Sequence, residues 1–222
     1  MKRTNRIFAA VLVLVMLLAA LPVFAAEDQV YVFDATADLQ PMEQGAKAVG
    51  DTQKVGTDGF FTIYFSEKVK IDSSNKKWED GYEASQRLNF SSKTSIKAEE
   101  IKNCVGITTN GPATVKIWWV EAGDDSRQIG IYNAAGEIVT QTNVEGLAKN
   151  DPCLSTLELP EAGTYYIGNV INHNYFFKIE VTVAAAEVVN PDAPSTGDPV
   201  ALFVAMMAVS ALGITVLDKK KF

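Results

Sequence analysis

Histidine and cysteine are almost missing from this chain of 222 residues, which holds one histidine, His173, and two cysteines, Cys104 and Cys153. No CxxC pair occurs, so a structural zinc site lacks its ligand set. No serine or cysteine elbow accompanies His173 in Asn172-His173-Asn174, which leaves a catalytic triad without support. Positive charge is scarce as well. The whole chain carries −7. Removing +3 for Lys2, Arg3 and Arg6, and +1 for the residues after Thr196, leaves −11 for the segment between. Such an acidic surface excludes nucleic acid as a partner, because phosphates need a basic footprint. A bulk electrostatic grip on an anionic polymer is excluded too, so local lysines and arginines would have to provide one. Helical periodicity is also lacking between the two ends of the chain, as are internal repeats.

Long apolar runs occur only at the ends. Lys2, Arg3 and Arg6 precede an apolar run from Ile7 to Leu21 and then Pro22-Val23-Phe24-Ala25. This is the pattern of a secretory signal peptide, residues 1–25, with Val23 and Ala25 at the recognised positions and cleavage after Ala25. At the other end, Ala193-Pro194-Ser195-Thr196-Gly197-Asp198 precedes an apolar stretch from Pro199 to Leu217 and then Asp218-Lys219-Lys220-Lys221-Phe222. The stretch has the length of a transmembrane helix, and the lysines mark its cytoplasmic side. The arrangement resembles the cell-wall sorting signal of Gram-positive surface proteins, with Pro194, Thr196 and Gly197 in the motif and Ala193 where leucine is usual. That resemblance implies a sortase and peptidoglycan as partners. A plain C-terminal membrane anchor is the alternative, and both place the protein on the outer face of the cell. Residues 184–198 form an Ala/Val/Pro linker that carries the motif, and residues 199–222 form the span and its tail.

Residues 26–183 read as many short strands. In Ala113–Asn133, Val115, Ile117 and Trp119 alternate with Lys116, Trp118 and Val120, and Ile129 and Ile131 alternate with Gln128, Gly130 and Tyr132. A period of two places Val115, Ile117, Trp119, Ile129 and Ile131 on a core face and Lys116, Trp118, Gln128 and Tyr132 on the other. The Gly/Asp/Ser-containing segment Glu121–Arg127 predicts a hairpin turn between the two runs. Gly59–Phe65 is a strand rich in aromatic and β-branched residues, whereas residues 35–58 read as loop with one short strand. Leu154–Leu159 points Leu157 and Leu159 inward. Tyr175–Val183 is expected to point Tyr175, Phe177, Ile179 and Val181 inward. The fold class is therefore all-β, an antiparallel, jelly-roll-like sandwich flanked by an N-terminal signal helix and a C-terminal transmembrane helix. Cys104 and Cys153, each at the start of a strand in an exported chain, predict one disulfide.

Further motifs are Phe61-Thr62-Ile63, Ile71–Lys76, Asp80-Gly81-Tyr82, Gln86–Phe90, Trp118-Trp119-Val120 with Gly123-Asp124-Asp125, Arg127-Gln128, Ala162–Tyr166 and Asn174-Tyr175 with Phe177-Lys178. On these, Gly56–Val183 resembles the β-sandwich modules found beside pectate lyases in secreted proteins of gut bacteria. The resemblance implies a non-catalytic module for pectin-type polysaccharide, displayed here without its lyase, because no stretch has the repeat of a parallel β-helix.

Sugar binding needs rings to meet a pyranose face and polar groups to fix its hydroxyls or carboxylates. Trp118 and Tyr132 are the candidate platforms, with Trp78 and Tyr82 in a loop. Lys116, Lys178, Arg87 and Arg127 are candidate partners for uronate carboxylates, an arginine pairing bidentately. The alternative is that the rings are buried, Arg87 sits in a structural ion pair, and the chain is an adhesin or scaffold domain with a protein partner. Asp124 and Asp125, with a carbonyl, would suit Ca2+, but the spacing of a full calcium loop is absent. Adjacent carboxylates also point apart on a strand, unlike the paired acids of a glycosidase.

Overall fold

The computed structural model describes residues 27–123, 127–143 and 147–185. The signal peptide with Ala25, the linker beyond Ala185, the motif Pro194, Thr196 and Gly197, the apolar span, and Asp124 and Asp125 lie outside the described residues. Among the described residues, fourteen strands and one short α-helix follow in order. They are β1 (Gln29–Asp34), α1 (Ala35–Asp38), β2 (Thr52–Val55), β3 (Phe61–Tyr64), β4 (Val69–Lys77), β5 (Glu83–Phe90), β6 (Ser95–Lys97) and β7 (Glu100–Lys102). Then come β8 (Cys104–Thr109), β9 (Ala113–Glu121), β10 (Ile129–Asn133), β11 (Ile138–Gln141), β12 (Pro152–Leu159), β13 (Gly163–Asn169) and β14 (Asn174–Val183).

The first sheet runs β12-β9-β14-β5-β4, with β1 also paired to β14. The second runs β11-β10-β13-β8-β3-β2, and β6 and β7 form a separate hairpin. All of these pairings are antiparallel. One core joins the two inner faces, with Val115, Ile117, Trp119 and Phe176 from the first sheet and Ile63, Val105, Ile129 and Ile167 from the second. The inward set expected from period-two alternation, Val115, Ile117, Trp119, Ile129 and Ile131, is fully buried. Leu157 and Leu159 are buried while Leu154 is 46% exposed, as their alternation requires.

Three expectations change. The runs 115–120 and 129–132 are not a hairpin. β9 pairs with β12 and β14, whereas β10 pairs with β11 and β13. The chain therefore crosses from one sheet to the other between them, which turn composition alone does not distinguish from a hairpin. In β14 the register shifts between Phe176 and Lys178. This bulge inserts one residue and reverses the alternation before it. Ile179 and Val181 face the main core as expected, but Phe176 joins them there, while Tyr175 and Phe177 pack on the outer face. Residues 35–58 hold α1 as well as β2. The Asp34 carboxylate caps α1 by accepting from the Thr36 amide, a common helix start.

The two ends of the sandwich meet. Gln29 of β1 sits opposite Val183 of β14, and the Ala185 amide donates to Asp28 Oδ1 at 3.0 Å. The chain therefore enters and leaves the sandwich side by side.

Candidate functional site

The outer face of the first sheet carries the rings that the sequence singles out. Trp118 leaves β9 on the side opposite Ile117 and Trp119, as alternation demands, yet it is 4% exposed. The cause is the tip of the β4–β5 hairpin, which folds back over the sheet. Trp78, Ala84, Trp118, Val120 and Phe177 make a second hydrophobic cluster there, with the half-buried Tyr82 and Tyr175 packed against it.

Polar bonds fasten the tip. Trp78 Nε1 donates to the Cys153 carbonyl at 2.9 Å, and Trp118 Nε1 to Asp80 Oδ2 at 2.7 Å. The Tyr82 hydroxyl donates to Asp34 Oδ1 at 3.1 Å. Burial, and then the Asp34 charge, push that hydroxyl's pKa well up. The Tyr82 amide holds the Asp80 carboxyl below its usual range, and the Trp118 indole adds to this. Lys178 Nζ lies 4.2 Å from the centre of the Trp118 ring, a cation–π contact. Trp118 and Trp78 are thus covered, with Tyr82 half-buried beside them, which corrects the expectation of Trp118 as an open platform.

The other expected residues are dispersed. Tyr132 is 8% exposed on the outer face of the second sheet, in a cluster with Tyr166 and Cys104 against which Ile96 and Ile101 of the β6–β7 hairpin pack. Its hydroxyl donates to the Asn169 carbonyl at 3.1 Å. Tyr132 is therefore covered as well, and is no platform. Arg87 is in a two-bond ion pair with Asp72, at 2.6 and 3.2 Å, and its guanidinium lies 3.7 Å from the Tyr175 ring centre. That is the structural alternative for Arg87. Arg127 is buried, its amide bonded to Glu121 Oε1 at 2.9 Å and its Nη1 3.0 Å from His173 Nδ1. Lys116 is partly open, with its side chain 45% exposed and Nζ 3.6 Å from Glu180. Among the described residues no group of three His, Cys, Asp or Glu side chains could hold a metal.

The expected disulfide is absent, and both cysteines are free and buried. Cys104 belongs to the second sheet and packs outward with Tyr132 and Tyr166, while Cys153 belongs to the first sheet and packs into the main core. Sequence position at a strand start does not reveal that the strands belong to different sheets.

An open groove lies on the outer face of the second sheet. It measures about 260 Å³ and is lined by Lys54, Phe60, Thr62, Tyr64, Thr108 and Thr164, among others. Alternation builds it: Phe61 and Ile63 point into the core, so Thr62 and Tyr64 point out. A Cβ on Gly106 would lie 2.7 Å from the Tyr64 ring, so glycine is what lets that ring lie across β8. Tyr64 meets Tyr166 edge-on, with centroids 5.6 Å apart. Phe60 stacks on Tyr31 at 3.8 Å. The hydroxyls of Thr108 and Thr164 are 3.1 Å apart, and Lys54 is exposed. The groove can offer aromatic surface to C–H groups, hydroxyls to hydroxyls and one ammonium to an anion. Gly59–Phe65 is legible in the sequence as a strand, and its outward positions, Thr62 and Tyr64, were the signal available for this groove.

No family model matches this chain, and no curated protein does. Among solved structures, it is similar to the C-terminal CBM6 of LamC, a marine laminarinase from Zobellia galactanivorans, at 8% identity, covering 69% of this chain and 99% of that one, with a TM-score of 0.31. It is also similar to the apo CBM1 of BiXyn10A, at 8% identity, covering 69% and 96%, with a TM-score of 0.28. Neither likeness is close enough to transfer a ligand or a site.

Proposed function

We propose that this protein is a non-catalytic cell-surface module that binds carbohydrate along the Tyr64 groove, with pectin-type plant cell-wall polysaccharide as its ligand class. The observation that carries the reading is the groove itself, where the partly exposed rings of Tyr64 and Phe60 border threonine hydroxyls and Lys54. Lys54 supplies the charge for a uronate carboxylate on a protein that is otherwise acidic. Among the described residues the groove lining contains no carboxylate, whereas glycoside hydrolysis needs two, so the reading is binding without cleavage. Secretion, cleavage after Ala25 and sortase attachment at Thr196 complete the proposal.

A glycan array followed by calorimetric titration with oligogalacturonate tests it. Tyr64→Ala should weaken binding by about 1–3 kcal/mol if the ring is an anchor. Lys54→Ala should reduce the salt sensitivity of binding, because screening acts on the charge pair. No glycan bound, or equal affinity in wild type and a folded Tyr64→Ala, would overturn the reading.

One observation favours a protein partner instead. Ile138, Val139 and Leu154 are 44%, 38% and 46% exposed on β11 and β12, the outer strands of the two sheets. On that reading the array is blank, and the chain acts as an adhesin or scaffold domain.

A further inference from the structure

The β4–β5 hairpin leaves a second open cavity, of about 470 Å³. The register of β4 shifts between Ser73 and Lys76, so an extra residue bulges from an edge strand. Bulges re-aim side chains, and here Asn75, Lys76 and Lys77 of β4 join Glu83, Ala84 and Ser85 of β5 in lining the cavity, with Thr36 of α1. Lys76 Nζ donates to the Asn150 carbonyl at 2.8 Å. The Ser85 amide donates to Thr36 Oγ1 at 3.1 Å, which ties α1 to β5 at the cavity wall. Ala84, 6% exposed, provides a small apolar floor. Glu83 pairs with Lys77 at the open rim, where the two side chains are 65% and 69% exposed. The volume lies in the range of ligand sites, roughly 300–1,000 Å³.

We propose that this cavity is a second saccharide site, which makes the module bivalent; the inference rests on the carbohydrate reading of the Tyr64 groove. An amide and a carboxylate in one cavity match a vicinal diol, the amide donating to one hydroxyl and the carboxylate accepting from its neighbour. Ser85 offers a third contact. The ligand class is therefore a sugar unit with adjacent hydroxyls, and no cation is needed to hold it. The two sites lie on different sheets, so each can take a separate polysaccharide segment and one protein can join two chains.

The test is calorimetric stoichiometry on the full chain with a short oligogalacturonate, together with turbidity of polygalacturonate solutions. Wild type should bind two oligosaccharides, and Asn75→Ala/Ser85→Ala and Tyr64→Ala one each. Only wild type should turn the polymer turbid. One site in wild type, lost in Tyr64→Ala and unchanged in the double variant, would overturn the second site and leave the groove standing. Binding indifferent to Tyr64→Ala but lost in the double variant would keep the cavity and remove the groove. No binding by wild type would overturn both.

Discussion

Trp78 donates its indole N–H to the carbonyl oxygen of Cys153, 2.9 Å away and 75 residues further along the chain. Trp78 sits at the tip of the β4–β5 hairpin, and Cys153 lies on β12 at the edge of the first sheet. Between them lie β9 and β14, so the bond straps the hairpin across the outer face. The aromatic residues Trp118 and Phe177 pack beneath it.

Trp118→Ala and Trp78→Ala should each cost about 3–5 kcal/mol of stability, the usual range for deleting a buried tryptophan. Urea unfolding measures this. The affinity of the folded variants for oligogalacturonate should stay at the wild-type value. Unchanged stability with lost affinity would restore these rings as a platform.

The two thiols should be silent to a thiol reagent in the native protein and react on unfolding, and reductant should leave the melting temperature unchanged. Burial, and then Asp151 and Glu121, push Cys153 up to about 11, and burial pushes Cys104 higher still. The unfolded chain therefore releases these protons first as pH rises past about 9. Stability should fall from there toward pH 11, because the folded state then binds more protons. A reductant-dependent melting temperature would point to a disulfide.

Acid should weaken the Asp72–Arg87 pair. Burial alone would raise the Asp72 carboxyl, but the bonds from Arg87, and then Lys70, outweigh it and lower its pKa. A depressed carboxylate adds stability above its unfolded value and loses it as pH falls through the folded one. Wild type should thus lose stability below about pH 4, and Asp72→Asn should flatten that part of the profile. Parallel profiles would show that the pair contributes nothing measurable.

Thr196→Ala should move the protein from the cell-wall fraction to the membrane fraction, because the sorting motif would no longer be joined to peptidoglycan. Unchanged fractionation, with Leu217 retained in the mature protein, would support a plain membrane anchor instead.

Alternation in the sequence by itself determined which side of each regular strand faces the core, as Val115, Ile117, Trp119, Leu157 and Leu159 show. A period of two follows from the pleat, so it needs no partner strand. It does not say what covers the other side. Trp118 points outward as its position requires, and it is buried because Asp80 and its hairpin, 38 residues away in sequence, fold onto it. The partition of β9 and β10 between sheets, the bulge that turns Phe177 outward and the separation of the two cysteines likewise depend on strand pairing. Pairing is set by contacts distant in sequence, and only the tertiary structure decides them.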